Sequence, residues 1–294
     1  MNKFEYWTVA YRKRNEGNTL VEDRDTPFLT IKNSWRYWYA DPHLIERDGK
    51  TWVFAEQYDR VCRRGKIACC ELTEGGATSW RTVLNLPFHL SYPHLLEIGT
   101  EVYMIPESYV ANEIALYRAE SFPDKWSKVC VVKEAFCGVD STVFEADGRK
   151  WIITLQFLEE KERLMLFPFE NNKIVGEGYC VAEQDAQKRP AGNLFTHDHS
   201  LLRPAQDCTE SYGCALNFYK ILCVAGERYS ETLFMKVKPE DIRSDFRKTA
   251  KGIHTYNFNS IFEVIDLKQY EADWLFYIMR PIWFLWRRFK KLWK

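Results

Sequence analysis

Asp41 and Asp140 each open a copy of one recurring phrase, and Glu56, Glu107 and Gln206 close copies of it. If the copies are equivalent elements around one axis, these side chains meet at a common end. Carboxylates facing each other across a pocket suit acetal chemistry. One stays ionised, as a base or to stabilise positive charge at an anomeric carbon, and another is held protonated to donate to the leaving oxygen. Asp41, Asp140 and Glu107 are therefore the catalytic candidates, with Glu56 and Gln206 as substrate-binding candidates. The competing reading has these acids cap strands or bind turn amides. Acids or amides at three equivalent edges argue against it, because a buried edge would favour an apolar residue.

Further polar residues share the repeat positions. His43 and His94 are equivalent, one residue past a proline, and are either pocket hydrogen-bond donors or a repeated packing choice. Tyr92 stands where copies one and three have aspartate and could serve as a platform for a sugar ring. Arg203, Gln206 and Asp207 cluster in the least repetitive stretch, 192–213. Arg203 there either clamps a phosphate or carboxylate bidentately or forms a structural pair with Asp207. His254, in Gly-Ile-His-Thr-Tyr-Asn, is a further pocket candidate. No metal site is assigned: there is no Cys-x-x-Cys pair, and His197 and His199 sit over a turn. A divalent cation stays open, since acidic pocket residues hold Ca²⁺ as readily as they move protons.

The elements that must carry these residues follow from the repeat. The copies start at 41, 92, 140 and 191, so they are 51, 48 and 51 residues apart. Each holds two short apolar runs around a turn; Asp48-Gly49 and Asp147-Gly148 are hairpin signals because Asp-Gly accepts two successive positive φ values. A period near fifty with paired strands predicts a five-bladed β-propeller, all-β, with one end of every blade facing an axial pocket. Glu231–Met235 and the 252–266 region supply the remaining strands, and the strand-like opening, Phe4 to Tyr11, could close the ring against the last blade. The propeller is expected over residues 1–270. Residues 271–294 form a tail: from Trp274 onward it carries four Trp and six Arg or Lys. A helix begun at Pro281 would put Ile282, Leu285, Trp286, Phe289, Leu292 and Trp293 on one face, a short basic amphipathic helix suited to an anionic membrane surface rather than to spanning it.

Composition narrows the class. Formal net charge is zero, which argues against nucleic acid as a partner. Nine cysteines, an odd number, and an opening without an apolar signal region lead us to expect reduced thiols and a cytoplasmic protein, peripheral on the inner face of the cytoplasmic membrane.

Five ordered phrases carry a resemblance over roughly residues 36–260: Ala-Asp-Pro-His-Leu, Ser-Tyr-Pro-His-Leu…Met-Ile-Pro-Glu-Ser, Gly-Val-Asp-Ser-Thr-Val-Phe, Arg-Pro-Ala-Gln-Asp-Cys…Tyr-Gly and His-Thr-Tyr-Asn. Together the chain resembles the propeller domain of the glucosamine inositolphosphorylceramide transferases, which is similar to the five-bladed fold of glycoside hydrolase family 43. The resemblance implies a general base at Asp41 and an orienting aspartate at Asp140. It also implies a general acid glutamate in blade four, where this chain has Gln206 and Asp207; Glu107 could substitute. The plant proteins carry a separate transferase domain outside the matched region. The expected function is a glycosyltransferase taking a nucleotide- or phosphate-activated sugar donor and a lipid-linked or cell-surface glycan acceptor. The alternatives are a furanosidase-type hydrolase and a non-catalytic glycan-binding propeller serving a partner transferase.

Overall fold

The computed structural model describes residues 3–14, 19–158, 161–225, 228–246 and 249–272. The expected helix of the tail lies outside the described residues. Five sheets of four or five strands are arranged as blades. Blade one runs outward through Tyr37–Arg47, Lys50–Asp59 and Arg64–Thr73, with the short Gly76–Ala77 and Arg81–Leu84 strands on its rim. Blade two begins at Ser91–Ile98, blade three at Gly138–Ala146, and blade four at Arg189–Pro190 with Ser200–Asp207. These starts follow the repeat read from the sequence.

Asp48 and Gly49 have φ of 52° and 70°, and Asp147 and Gly148 have 51° and 70°, so both Asp-Gly pairs make the turns their chemistry favours. Blade five differs. Tyr256–Phe258 and Phe262–Ala272 form its inner half, and the N-terminal strand Lys3–Lys13 completes it, with Leu29–Thr30 outside. The expected closing role of the N-terminal strand is met. Glu231–Met235 belongs instead to Arg228–Val237, the outer strand of blade four. The ring closes with the chain's own start, so no further strand is needed before Tyr256.

Strand alternation feeds both faces of each blade into packing between blades. Phe54 and Cys69 pack with Trp126 and Leu95 of blade two, whereas Val53 and Cys70 pack with Val9 and Val264 of blade five. Adjacent Cys69 and Cys70 thus point to opposite faces, both buried. At the junction of blades four and five, Gly192 adopts φ +136°, and a Cβ there would lie 2.0 Å from the Tyr256 carbonyl oxygen. Gly192→Ala should therefore cost about 3 kcal/mol or more; a melting temperature unchanged in calorimetry would contradict this account of the junction.

Candidate active site

Three equivalent residues break the strand geometry at the inner rim. Asp41, Tyr92 and Asp140 have φ of 53°, 41° and 50°. Each lies within a register shift, between Ala40 and His43, Ser91 and His94, or Val139 and Thr142. A bulge with a left-handed residue turns a side chain out of the strand's alternation. Aspartate tolerates that conformation better than most residues, and tyrosine does not. These bulges aim Asp41 and Asp140 at the axis.

Asp41 is held from blades two and five. Its Oδ2 accepts the Tyr92 N–H at 3.2 Å, its Oδ1 accepts the Thr255 hydroxyl at 3.1 Å, and its own N–H donates to Asp266 Oδ2 at 2.9 Å. His254 links the two acids: Nδ1 is 2.7 Å from Asp266 Oδ2 and Nε2 is 3.6 Å from Asp41 Oδ1. Trp7 stacks on the imidazole with 3.8 Å between centroids. Burial pushes the Asp41 carboxyl up to about 6, against the pull of His254. Burial pulls His254 down, but Asp266 and Asp41 outweigh it and hold the imidazole above its usual value.

Opposite stands a second group. Arg189 donates from Nε to Asp140 Oδ2 at 2.5 Å and from Nη2 to Glu107 Oε2 at 3.4 Å. Gln206 Nε2 donates to the same Asp140 oxygen at 2.8 Å and to the Pro190 carbonyl at 3.0 Å. Burial pushes Glu107 well above the usual carboxylate range, Asp140 adds to it, and Arg189 opposes it. Glu107 is thus suited to carry a proton. Glu56 is raised likewise by burial, reinforced by Asp41 and Glu107. Its Oε1 is 3.3 Å from His89 Nε2 but has no aligned hydrogen-bond donor among the described residues. His89 is lowered to about 4 by burial and by Arg64, so its ring is neutral. Its Nδ1 accepts the Gly65 N–H at 2.9 Å, which puts the ring proton on Nε2, facing Glu56.

A pocket of about 420 Å³ opens over these groups, lined by Asp41, Glu56, Glu107, Arg189 and His254 and walled by Trp7, Trp38, Tyr58 and Tyr212. Asp41, His254 and Asp266 offer one ligand atom each within 4.8 Å of one another. However, Asp266 Oδ1 already accepts the His254 and Thr255 N–H groups, and Oδ2 accepts from Asp41 and faces His254 Nδ1. That trio is a hydrogen-bonded unit with its oxygens in use, not a vacant cation cage.

The geometry sorts the sequence candidates. Asp41, Glu56, Glu107 and His254 line the pocket, and Asp140 and Gln206 lie just beneath it, joined through Arg189. His43 and His94 are buried under the bulges: His43 Nδ1 is 3.2 Å from the Asp41 carbonyl, and His94 Nε2 accepts the Val143 N–H at 3.0 Å. Burial lowers them to about 4 and about 3, so both act as neutral framework. Tyr92 is not a sugar platform. It has no exposed surface, and its hydroxyl bonds Thr142 and accepts the Gly192 N–H at 2.7 Å.

Arg203 and Asp207 also lie elsewhere. Arg203 is buried against Glu231, with contacts of 2.7 and 2.8 Å, and Asp207 takes Lys236 at 2.5 Å. Alternation along Ser200–Asp207 sends both to the face opposite Gln206. The arginine that enters the pocket is Arg189. The fourth copy is one residue out of step, pairing Arg189 with Gln206 where blade one pairs Ala40 with Glu56. Asp266 and Trp7 left no repeat signal either, because blade five is assembled from both ends of the chain, and Tyr212 comes from the loop between Ser200–Asp207 and Ala215–Ala225 of blade four.

Five blades closing on an axial cluster of acids define the chain as a five-bladed β-propeller. Solved structures share the fold. An α-L-arabinofuranosidase from Podospora anserina has a TM-score of 0.60 at 9% identity, covering 84% of this chain and 95% of that one. The catalytic domain of a Coprinopsis cinerea α-L-arabinofuranosidase has 0.59 at 10%, covering 89% and 97%. The family described as glucosamine inositolphosphorylceramide transferase 1, N-terminal, matches residues 31–278, and the chain belongs to it. Two relatives bearing that transferase name are similar. The one from Oryza sativa subsp. indica is 29% identical over 242 residues, covering 76% of this chain and 32% of the relative; the one from Arabidopsis thaliana is 30% identical over 211, covering 65% and 26%. The chain thus spans about a third of the curated relatives it matches.

The raised acids predict a pH signature. A carboxyl whose folded pKa is raised stabilises the fold below its unfolded pKa of about 4.5, and that stability is lost as pH rises toward the folded value. Glu56→Gln should therefore match wild-type stability at pH 4 and exceed it at pH 8, by roughly 1.4 kcal/mol per pH unit of raised pKa. Calorimetry across that range checks it, and a variant less stable at pH 8 would refute the burial account of Glu56.

Proposed function

We propose that the protein is a glycosyltransferase that moves a sugar from a phosphate-activated donor to a hydroxyl of a lipid-linked or cell-surface glycan, as in polysaccharide or glycolipid assembly. The observation that carries this reading is Arg189 on the pocket wall beside Glu107 and Asp140. Its guanidinium has five N–H groups, of which those two contacts use two, so it can also receive a leaving phosphate. In the reaction the acceptor oxygen bonds to the anomeric carbon as that carbon's bond to the phosphate oxygen breaks. The acceptor proton passes to Asp41, whose carboxyl, pushed up by burial to about 6, is mostly ionised at neutral pH. The phosphate leaves as an anion toward Arg189. Asp140 holds the guanidinium in position, and Gln206 in turn fixes Asp140.

Membership in a family named for a transferase supports the reading. Donor and acceptor identity are part of the proposal. The tail from Trp274, with its four Trp and six Arg or Lys, favours work at the inner face of the cytoplasmic membrane.

A hydrolase is the second reading, favoured by one observation: Glu107 is set up to stay protonated, as an alcohol leaving group requires. Water then takes the place of the acceptor.

Purified protein given nucleotide-activated sugars with lipid acceptors, and separately alkyl glycosides in water, tells these apart. Transfer to lipid supports the first reading, release of alcohol the second, and inertness in both assays overturns both. Turnover should rise with pH with a half-point near 6 as Asp41 loses its proton, then fall as Glu107 ionises. Asp41→Asn should lower the rate about 10²- to 10⁴-fold. Glu107→Gln should cost more with an alcohol leaving group than with a phosphate.

A further inference from the structure

A second cavity of about 720 Å³ lies on the other side of the hairpin that carries Asp41 and Glu56. Alternation along Tyr37–Arg47 and Lys50–Asp59 explains the pairing of the two sites. Trp38 and Tyr58 face the axial pocket, while Tyr37, Tyr39 and Gln57, their immediate neighbours, face the outer groove. The groove runs between blades one and five, with Tyr11 from the N-terminal strand opposite Trp80 from the rim of blade one.

Its chemistry is distinct from that of the axial pocket. Trp80 stacks on Tyr39, with centroids 4.3 Å apart and planes 11° apart. Around this pair lie hydroxyl and amide groups, among them Gln57, Thr30 and Thr82. Gln57 is already oriented: its Nε2 donates to the Tyr39 hydroxyl at 3.0 Å and its Oε1 accepts from Thr82 at 2.6 Å. Burial pushes the Tyr39 phenol up to about 12, so it stays neutral. No carboxylate lines the groove among the described residues, and Lys32 at its mouth supplies the charge. Flat aromatic surface accepts the C–H face of a pyranose or furanose ring, and the surrounding hydroxyl and amide groups match its hydroxyls. The volume lies within the range of small-ligand sites.

We infer that this groove is an oligosaccharide subsite that binds sugar units of a glycan chain beyond the unit reacting at the axis. The acceptor is then a chain rather than a single sugar. This rests on the proposed function for the identity of the axial site, but binding in the groove can be measured without it.

The test is an array of neutral oligosaccharides, one to six units long, probed with the full chain and with two variants. Ser79 is exposed, so Ser79→Arg fills the groove without disturbing the core. Trp80→Ala removes the platform. Wild type should retain chains of three or more units over monosaccharides, and each variant should weaken that retention at least ten-fold. Ser79→Arg should keep the wild-type melting temperature and the wild-type turnover of a one-unit acceptor, with a raised KM for longer ones. Absence of retention on the array, or retention equal in wild type and Ser79→Arg, overturns the subsite. If the axial reading alone is wrong, no donor turns over, yet retention and its loss in Ser79→Arg persist.

Discussion

The pairing of Lys3–Lys13 with Phe262–Ala272 along eleven residues holds the ring together, and the pocket's geometry depends on it. It carries Trp7 onto His254 and sets Asp266 against the backbone of Asp41. Behind it, Arg12 and Glu263 form a buried ion pair at 2.5 Å, and Glu263 also takes the Leu20 N–H and the Tyr256 hydroxyl. Buried charges of this kind are tolerated only when paired and hydrogen-bonded, and losing one partner costs far more than the pair contributes. The closing strand is therefore specified by polar contacts as well as by apolar burial.

Inside the ring, strain and buried charge are concentrated at one end of the axis. The left-handed backbone at Asp41, Tyr92 and Asp140 is costly in isolation. It is held by bonds from blade to blade: Asp266 takes the Asp41 N–H, Asp41 takes the Tyr92 N–H, and the Tyr92 hydroxyl takes the Gly192 N–H. The same relay buries Glu56 and Glu107 where ionisation is unfavourable. A site that buries several acids together is one that packing alone would not produce.

The family 43 resemblance implies a general acid glutamate in blade four, where this chain has Gln206. Blade four presents Gln206 and Arg189 to Asp140, and the acid suited to carry a proton, Glu107, comes from blade two. A cation next to that acid would stabilise an anion bound beside it through charge-assisted hydrogen bonds. Sharing a fold with the arabinofuranosidases therefore does not carry their chemistry across.

Periodic features were legible in the chain itself. The Asp-Gly turns, the start of each of the first four blades and the axial meeting of Asp41, Glu56, Glu107 and Asp140 follow from a phrase repeated at nearly constant spacing, because equivalent residues in equivalent blades take equivalent places. Tertiary structure decided what is not periodic. Arg189 enters the pocket because a one-residue offset in the first strand of blade four brings it opposite Gln206, while alternation along Ser200–Asp207 turns Arg203 away. Tyr92 became framework because its hydroxyl reaches Thr142 and the Gly192 N–H in blades three and four and is buried there. Asp266 and Trp7 joined the site because ring closure brings together residues from opposite ends of the chain, and no local pattern records a contact made across that distance.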